Sequence, residues 1–134
     1  MTEFSKLSIS SAIKGLNNKD FTSVELTQYY IEKIQENSNL NCFITPTFET
    51  ALEMAKKSDE NITKKKQRSL EGIPIGMKDL FCTNGTRTTA GSKILENFIP
   101  FYESTVSENL WNSGAIMLGK TNMDEFAMGS ANTT

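Results

Sequence analysis

A chain of 134 residues, 37% hydrophobic and with a formal net charge of −2, has the length and composition of one modest globular segment. Neither sign of charge dominates, so composition carries no nucleic-acid footprint. There is no apolar run near the roughly 18 residues of a membrane span and no basic-then-apolar leader, so we expect neither a spanning helix nor a secretory signal, and a cytoplasmic location.

The first predicted element is a helix, because Ile9, Ala12, Ile13 and Leu16 recur at the spacing of one buried face, ending near Asn17 and Asn18. Thr22 followed by Glu25 forms a capping box for a second helix that Leu26, Tyr29, Tyr30 and Ile34 carry to about Asn37. The two tyrosines are expected to pack. A turn at Asn39 leads into a short strand, Cys42 to Ile44, closed by Pro46. Phe48, Ala51, Leu52 and Ala55 predict a third helix to about Lys57. From Ser58 to Ser69 apolar residues nearly vanish and Lys64, Lys65, Lys66 and Arg68 cluster, so residues 58–69 read as a solvated polar basic loop. Cys42 and Cys82 form no C-x-x-C and are expected to be buried thiols in a reducing compartment.

The stretch Leu70-Glu-Gly-Ile-Pro-Ile-Gly-Met-Lys-Asp-Leu-Phe81 reads as a strand entering an interior. Alternation puts Ile73, Ile75, Met77, Asp79 and Phe81 on one side, and Pro74, Gly76, Lys78 and Leu80 on the other, where side chains are small. A strand lysine ordinarily snorkels to water. However, the chain has no histidine, so a base working near neutral pH must be a perturbed lysine, carboxylate or cysteine. Desolvating Lys78 would favour its neutral amine, and moving it toward neutrality takes about 4 to 5 kcal/mol of differential solvation. Lys78 is therefore the candidate general base.

Asn84-Gly85 signals a turn, and Thr86 to Ser92 is a loop of small polar residues able to line a cleft. Thr105 with Glu108 predicts a capped helix that stops at Gly114. Gly114 to Thr121 matches the G-x-x-x-x-G-K-[ST] phosphate-loop pattern by letter. The preceding element is a helix and Ala115 to Leu118 reads as a strand, so the context for a nucleotide loop is wrong. Asn122 is expected to cap a final short helix with Asp124 and Glu125 in its first turn, which accounts for both carboxylates. No nucleophile turn of the G-x-S-x-G type occurs, and the chain stops without a closing strand, as expected of a piece of a larger domain.

Three blocks, Leu70 to Phe81, Thr88-Thr-Ala-Gly-Ser92 and Gly119-Lys-Thr-Asn-Met-Asp-Glu-Phe-Ala-Met-Gly-Ser130, resemble in order and spacing the amidase signature family. The last block is similar to its aspartyl/glutamyl-tRNA amidotransferase branch. The likeness spans the chain but only the first quarter to third of a family member. It implies an α/β fold, the amino-terminal portion of one large domain with a central mixed sheet flanked by helices, the first helices facing a small partner protein.

The resemblance also implies a Ser-cisSer-Lys triad whose lysine is Lys78, both serines lying after Thr134. This piece alone would then be inactive and poorly stable. Met128, Gly129 and Ser130 correspond to a stretch bordering the substrate pocket, although Ala131 to Thr134 departs from the commoner family pattern. The complete protein is expected to hydrolyse glutamine and pass ammonia to its partners, the B and C subunits of a heterotrimeric amidotransferase. There ATP with Mg activates misacylated tRNA, which is held mainly by the B component. No cofactor or metal is expected in this chain. Two alternatives stay open: a non-catalytic module docking its partners through its helices, and a family member acting on another amide.

Overall fold

The computed structural model describes residues 3–129. Helix α1 (Ile9–Asn18) opens at Ser8, whose Oγ accepts from the Ser11 amide at 3.2 Å, and ends where Lys19 turns left-handed. Helix α2 (Ser23–Glu36) carries the expected capping box: Thr22 Oγ1 accepts from the Glu25 amide at 3.1 Å, and Glu25 Oε2 accepts from the Thr22 amide at 2.7 Å. A second carboxylate reaches the same helix end from α3 (Phe48–Thr63), as Asp59 accepts from the amides of Ser23 and Val24 at 2.7 and 3.1 Å. Orphan amides and the positive end of the dipole are thereby satisfied from both near and far in sequence. Tyr29 and Tyr30 pack edge to face, and Phe4 adds to the cluster.

The sheet has the order β1-β3-β2, built from β1 (Phe43–Pro46), β2 (Pro74–Lys78) and β3 (Ile116–Thr121). β2 runs parallel to β3 and β1 antiparallel to it, so the sheet is mixed and the fold α/β. The parallel pair requires a crossover, which contains α4 (Thr105–Asn112). Pro46 belongs to the strand rather than closing it, as an edge strand allows. Ala12 and Leu16 of α1 join Leu26, Ile62 and Ile73 in one apolar cluster; Ile31, Ala51, Ala55, Ile116 and Leu118 form another between helices and sheet.

The basic loop expected over 58–69 is partly helix. α3 continues through Thr63 because Ser58 and Ile62 extend the buried stripe of Ala51 and Ala55, a periodicity obscured by the charges between them. Nor is Arg68 merely solvated: its Nε and Nη2 reach the buried Glu71 carboxylate at 2.7 and 2.9 Å, and Nη1 reaches the Trp111 carbonyl at 3.0 Å. Burial pushes the Glu71 carboxyl up, but hydrogen bonds from Arg68, Ser58 and Asn61 outweigh it and hold the group below the usual range.

The long strand expected from Leu70 to Phe81 is confined to Pro74–Lys78. Its flanks are turns, with the Ile73 amide on the Leu70 carbonyl and the Phe81 amide on the Lys78 carbonyl, both at 3.1 Å. α4 starts one residue behind a cap at Ser104, not Thr105. The Asn84-Gly85 turn is present, with Gly85 at φ 71°. Cys42 and Cys82 are unpaired, as expected, but Cys42 is exposed and Cys82 only half-buried against the Tyr102 hydroxyl. Among the described residues no helix is long and apolar enough to cross a membrane.

Candidate active site

The site is organised at the carboxyl ends of β2 and β3. In a parallel pair, residues in register point to the same side, and here Gly76 faces Gly119, Met77 faces Lys120, and Lys78 faces Thr121. Lys78 therefore shares one side with Gly76, Gly119 and Thr121, and Met77 shares the other with Lys120. The glycines are required by close approach. A Cβ on Gly76 would lie 2.6 Å from Thr121 Cγ2, and one on Gly119 would lie 2.7 Å from the Thr45 carbonyl of β1. Small residues beside Lys78, which in sequence suggest room for a buried amine, thus serve first to let three strands close up.

Lys78 itself is exposed. The alternation expected for the stretch holds, since Met77 and Asp79 are buried while Gly76, Lys78 and Leu80 are not. The dry surroundings expected for the amine are not supplied by the described residues. Desolvation of Lys78 needs a covering surface from elsewhere.

The opposite side of the strand end is closed. Asp79 is fully buried, and its Oδ2 accepts from the Thr89 amide at 2.9 Å and the Thr89 hydroxyl at 2.5 Å. Its backbone is held too, the amide on the Thr121 carbonyl at 3.2 Å and the carbonyl under the Ala90 amide at 2.9 Å. Lys120, also fully buried, stands 3.7 Å from Asp79 Oδ1. Its ammonium donates to the Phe81 carbonyl at 2.5 Å, Thr88 Oγ1 at 2.8 Å and Thr83 Oγ1 at 3.2 Å. Burial pushes the Lys120 amine below its ordinary value, and the attraction of Asp79 only partly offsets it.

Lys120 is easily passed over in sequence, because the phosphate-loop pattern gives it a ready reading and the rejection of that pattern leaves it without one. The rejection holds, since α4 precedes Gly114 and the variable residues lead into a strand. A lysine after Ile116, Met117 and Leu118, with no solvent end within reach, is the signal that marks it.

The Thr88–Ser92 loop wraps this buried pair. Ala90 and Gly91 take left-handed φ angles of 52° and 68°, which turns the chain under Asp79. The loop then grips the tail: Ser92 Oγ donates to Glu125 Oε1 at 2.5 Å, and the Phe126 amide to the Ala90 carbonyl at 2.8 Å. These bonds replace the final helix expected after Asn122. Among the described residues after Asn122 a single 3₁₀ turn, Glu125–Ala127, forms, and Phe126 within it is left-handed at φ 51°. Asn122 does not cap it; its Nδ2 reaches the Asn41 carbonyl at 3.1 Å.

Met128 and Gly129 line an open, polar cleft of about 830 Å³ with Gly91, Asn122 and Asp124. Lys78 is not among the residues lining that cleft, and Ser130 lies outside the described residues. Among the described residues Lys78 is linked to Met128 and Gly129 through Thr121, its register partner, which runs on into Asn122 and Met123 of the cleft, and through Asp79, the Thr88–Ser92 loop and the Glu125 turn. Among the described residues no group of three or more histidine, cysteine or acidic side chains is placed to hold a metal ion.

A family model described as Amidase matches residues 25–134. The chain belongs to the amidase family. Among curated relatives, the A component of glutamyl-tRNA(Gln) amidotransferase from Rickettsia bellii is 57% identical over all 134 residues, and that from Azorhizobium caulinodans 53%. The chain spans 27% of the length of each of these relatives. Among solved structures, the peptide amidase of Stenotrophomonas maltophilia superposes with a TM-score of 0.89 at 27% identity, covering 98% of this chain and 28% of that one. An amidase family protein from Bacillus anthracis superposes at 0.86 with 30% identity, covering 98% and 27%. Fold and family thus agree, and in both comparisons this chain covers little more than a quarter of the length of the protein it matches.

Proposed function

We propose that the chain is the amino-terminal portion of the glutamine-hydrolysing component of a tRNA-dependent amidotransferase, and that Lys78 is its proton acceptor. The observation that carries the reading is the placement of Lys78. It stands at the carboxyl end of β2, on the open side, with its backbone fixed by Asp79 behind it and an uncharged Thr121 beside it. An open amine on a rigid support is what a general base needs before substrate and covering surface arrive.

In the proposed reaction the neutral amine of Lys78 takes a proton from a bridging serine, which takes one from a nucleophilic serine; both serines come from the complete protein beyond this chain. The serine oxygen attacks the side-chain amide carbonyl of glutamine, and as the C–N bond breaks the proton held by Lys78 returns through the bridging serine to the leaving nitrogen, which departs as ammonia. Water then cleaves the acyl-enzyme ester and releases glutamate. Ammonia passes to the partner B and C components, where ATP with Mg activates glutamate on misacylated tRNA. Met128, Gly129 and Ser130 border the glutamine pocket in this reading. The tRNA branch is favoured over a different amide because the relatives at 57% and 53% identity are both amidotransferase components.

The test is made on the complete protein assembled with its partners. Ammonia release from glutamine, and glutaminyl-tRNA formation dependent on glutamine and ATP, are expected. Hydrolysis of peptide or aryl amides without glutaminase activity would transfer the chain to another branch of the family.

A further inference from the structure

We propose that the buried Asp79–Lys120 pair is the positioning element of the candidate site, holding the strand end and the Thr88–Ser92 loop in place while its two charges cancel at Lys78. The inference rests on the reading of Lys78 as proton acceptor and deepens it.

Asp79 follows Lys78 directly, and Lys120 precedes Thr121, the residue in register with Lys78. Both charged groups are fully buried on the side of the sheet away from Lys78. Each fixes different chain segments: Asp79 holds Thr89 through its side chain, and Lys120 holds Phe81, Thr83 and Thr88. Between them they fasten the turns that lead from Lys78 to the loop. Neutral groups can make the same bonds, so the choice of two charges calls for an electrostatic reason. Once the covering surface of the complete protein lies over Lys78 and screening is poor, a single buried charge one residue away would move the protonation of its amine strongly. Paired opposite charges give the rigidity of charge-assisted hydrogen bonds with little net field.

The surrounding charges do not duplicate this role. Cys82 and Glu103 face Lys120, Glu103 is engaged by the Asn84 amide and the Ser107 hydroxyl, and Arg87 is held on β1 by Thr45 and Ile44. Glu125 is taken by Ser92. Thr121 of β3 and Phe43 of β1, which share the side of Lys78, carry no charge.

The test is the pH profile of kcat/KM for glutamine in the complete assembled protein, for Lys120→Met, Asp79→Asn and the double variant. A base must be neutral, so activity rises with pH along the acid limb. Lys120→Met leaves the Asp79 anion unbalanced, which favours the ammonium, and the limb should move up by about 1 pH unit. Asp79→Asn leaves a cation, and the limb should move down. The double variant should return the limb to its wild-type position even with kcat reduced. Limbs that stay put, or move the same way in both single variants, would overturn the pair's electrostatic role. If either single variant fails to fold, the double variant decides: folded with the wild-type limb supports the proposal, whereas an unfolded double variant or a displaced limb overturns it. Lys78→Ala serves as the separate control, because retained activity there removes the proton acceptor itself and leaves the pair as a purely structural feature.

Discussion

Replacing Lys78 by alanine in the complete protein should lower glutamine hydrolysis by about 10²- to 10⁴-fold, the contribution of a positioned general base, while leaving the fold intact. Within the described residues the side chain is exposed, so its removal opens no cavity in this part of the protein, and any loss of stability should come from contacts with the covering surface and stay near the ordinary cost of a point change, about 1 kcal/mol. Lys78→Arg should be nearly as inactive. Its guanidinium keeps reach and charge but cannot give up its proton near neutral pH. Steady-state ammonia release with glutamine checks both variants, and a fall in kcat with KM held locates the loss in the chemical step.

The second large effect is on stability. Lys120→Met should destabilise the complete protein by about 3 to 5 kcal/mol, because it strands the Asp79 carboxylate in the interior. The environment leaves little to replace the lost cation. Asp79 Oδ1 has no hydrogen-bond partner among the described residues apart from the ion pair with Lys120 at 3.7 Å, and the Phe81, Thr83 and Thr88 acceptors lose their donor together. Against a total stability of about 5 to 15 kcal/mol, such a loss is visible as a large fall in the denaturant midpoint. Asp79→Asn combined with Lys120→Met should cost less than the sum of the two single changes, since no buried charge then remains unpaired. Chemical denaturation of the four proteins measures the coupling directly.

Local rules carry much of the fold. The capping box at Thr22 and the apolar spacing of Ile9 to Leu16 are short-range patterns, and both helices stand where those patterns put them. The mixed sheet is implied by family resemblance, and the side alternation around Lys78 follows from the period of a strand. Tertiary partners set what the sequence obscures. The far half of α3 is surrounded by charges and reads as a loop, yet Ser58 and Ile62 bury against the core and Asp59 caps a helix distant in sequence.

The tail reads as a capped helix, but its donors and carboxylates are claimed by Ala90 and Ser92 across the loop. Lys120 is hidden for a different reason: a motif match draws its interpretation toward phosphate, while its partner Asp79 lies far upstream. The dryness expected around Lys78 depends on a covering surface that these residues do not provide, so the side chain can be placed from sequence and its environment cannot.

The most direct measurement replaces Lys78 by γ-thialysine in the complete assembled protein. Sulfur in place of one methylene keeps the amine within reach but makes it less basic. If Lys78 is the proton acceptor, glutamine hydrolysis persists and the acid limb of kcat/KM moves to lower pH, because the weaker base becomes neutral sooner. An active protein whose acid limb does not move would show that another group receives the proton, and would contradict the role assigned to Lys78.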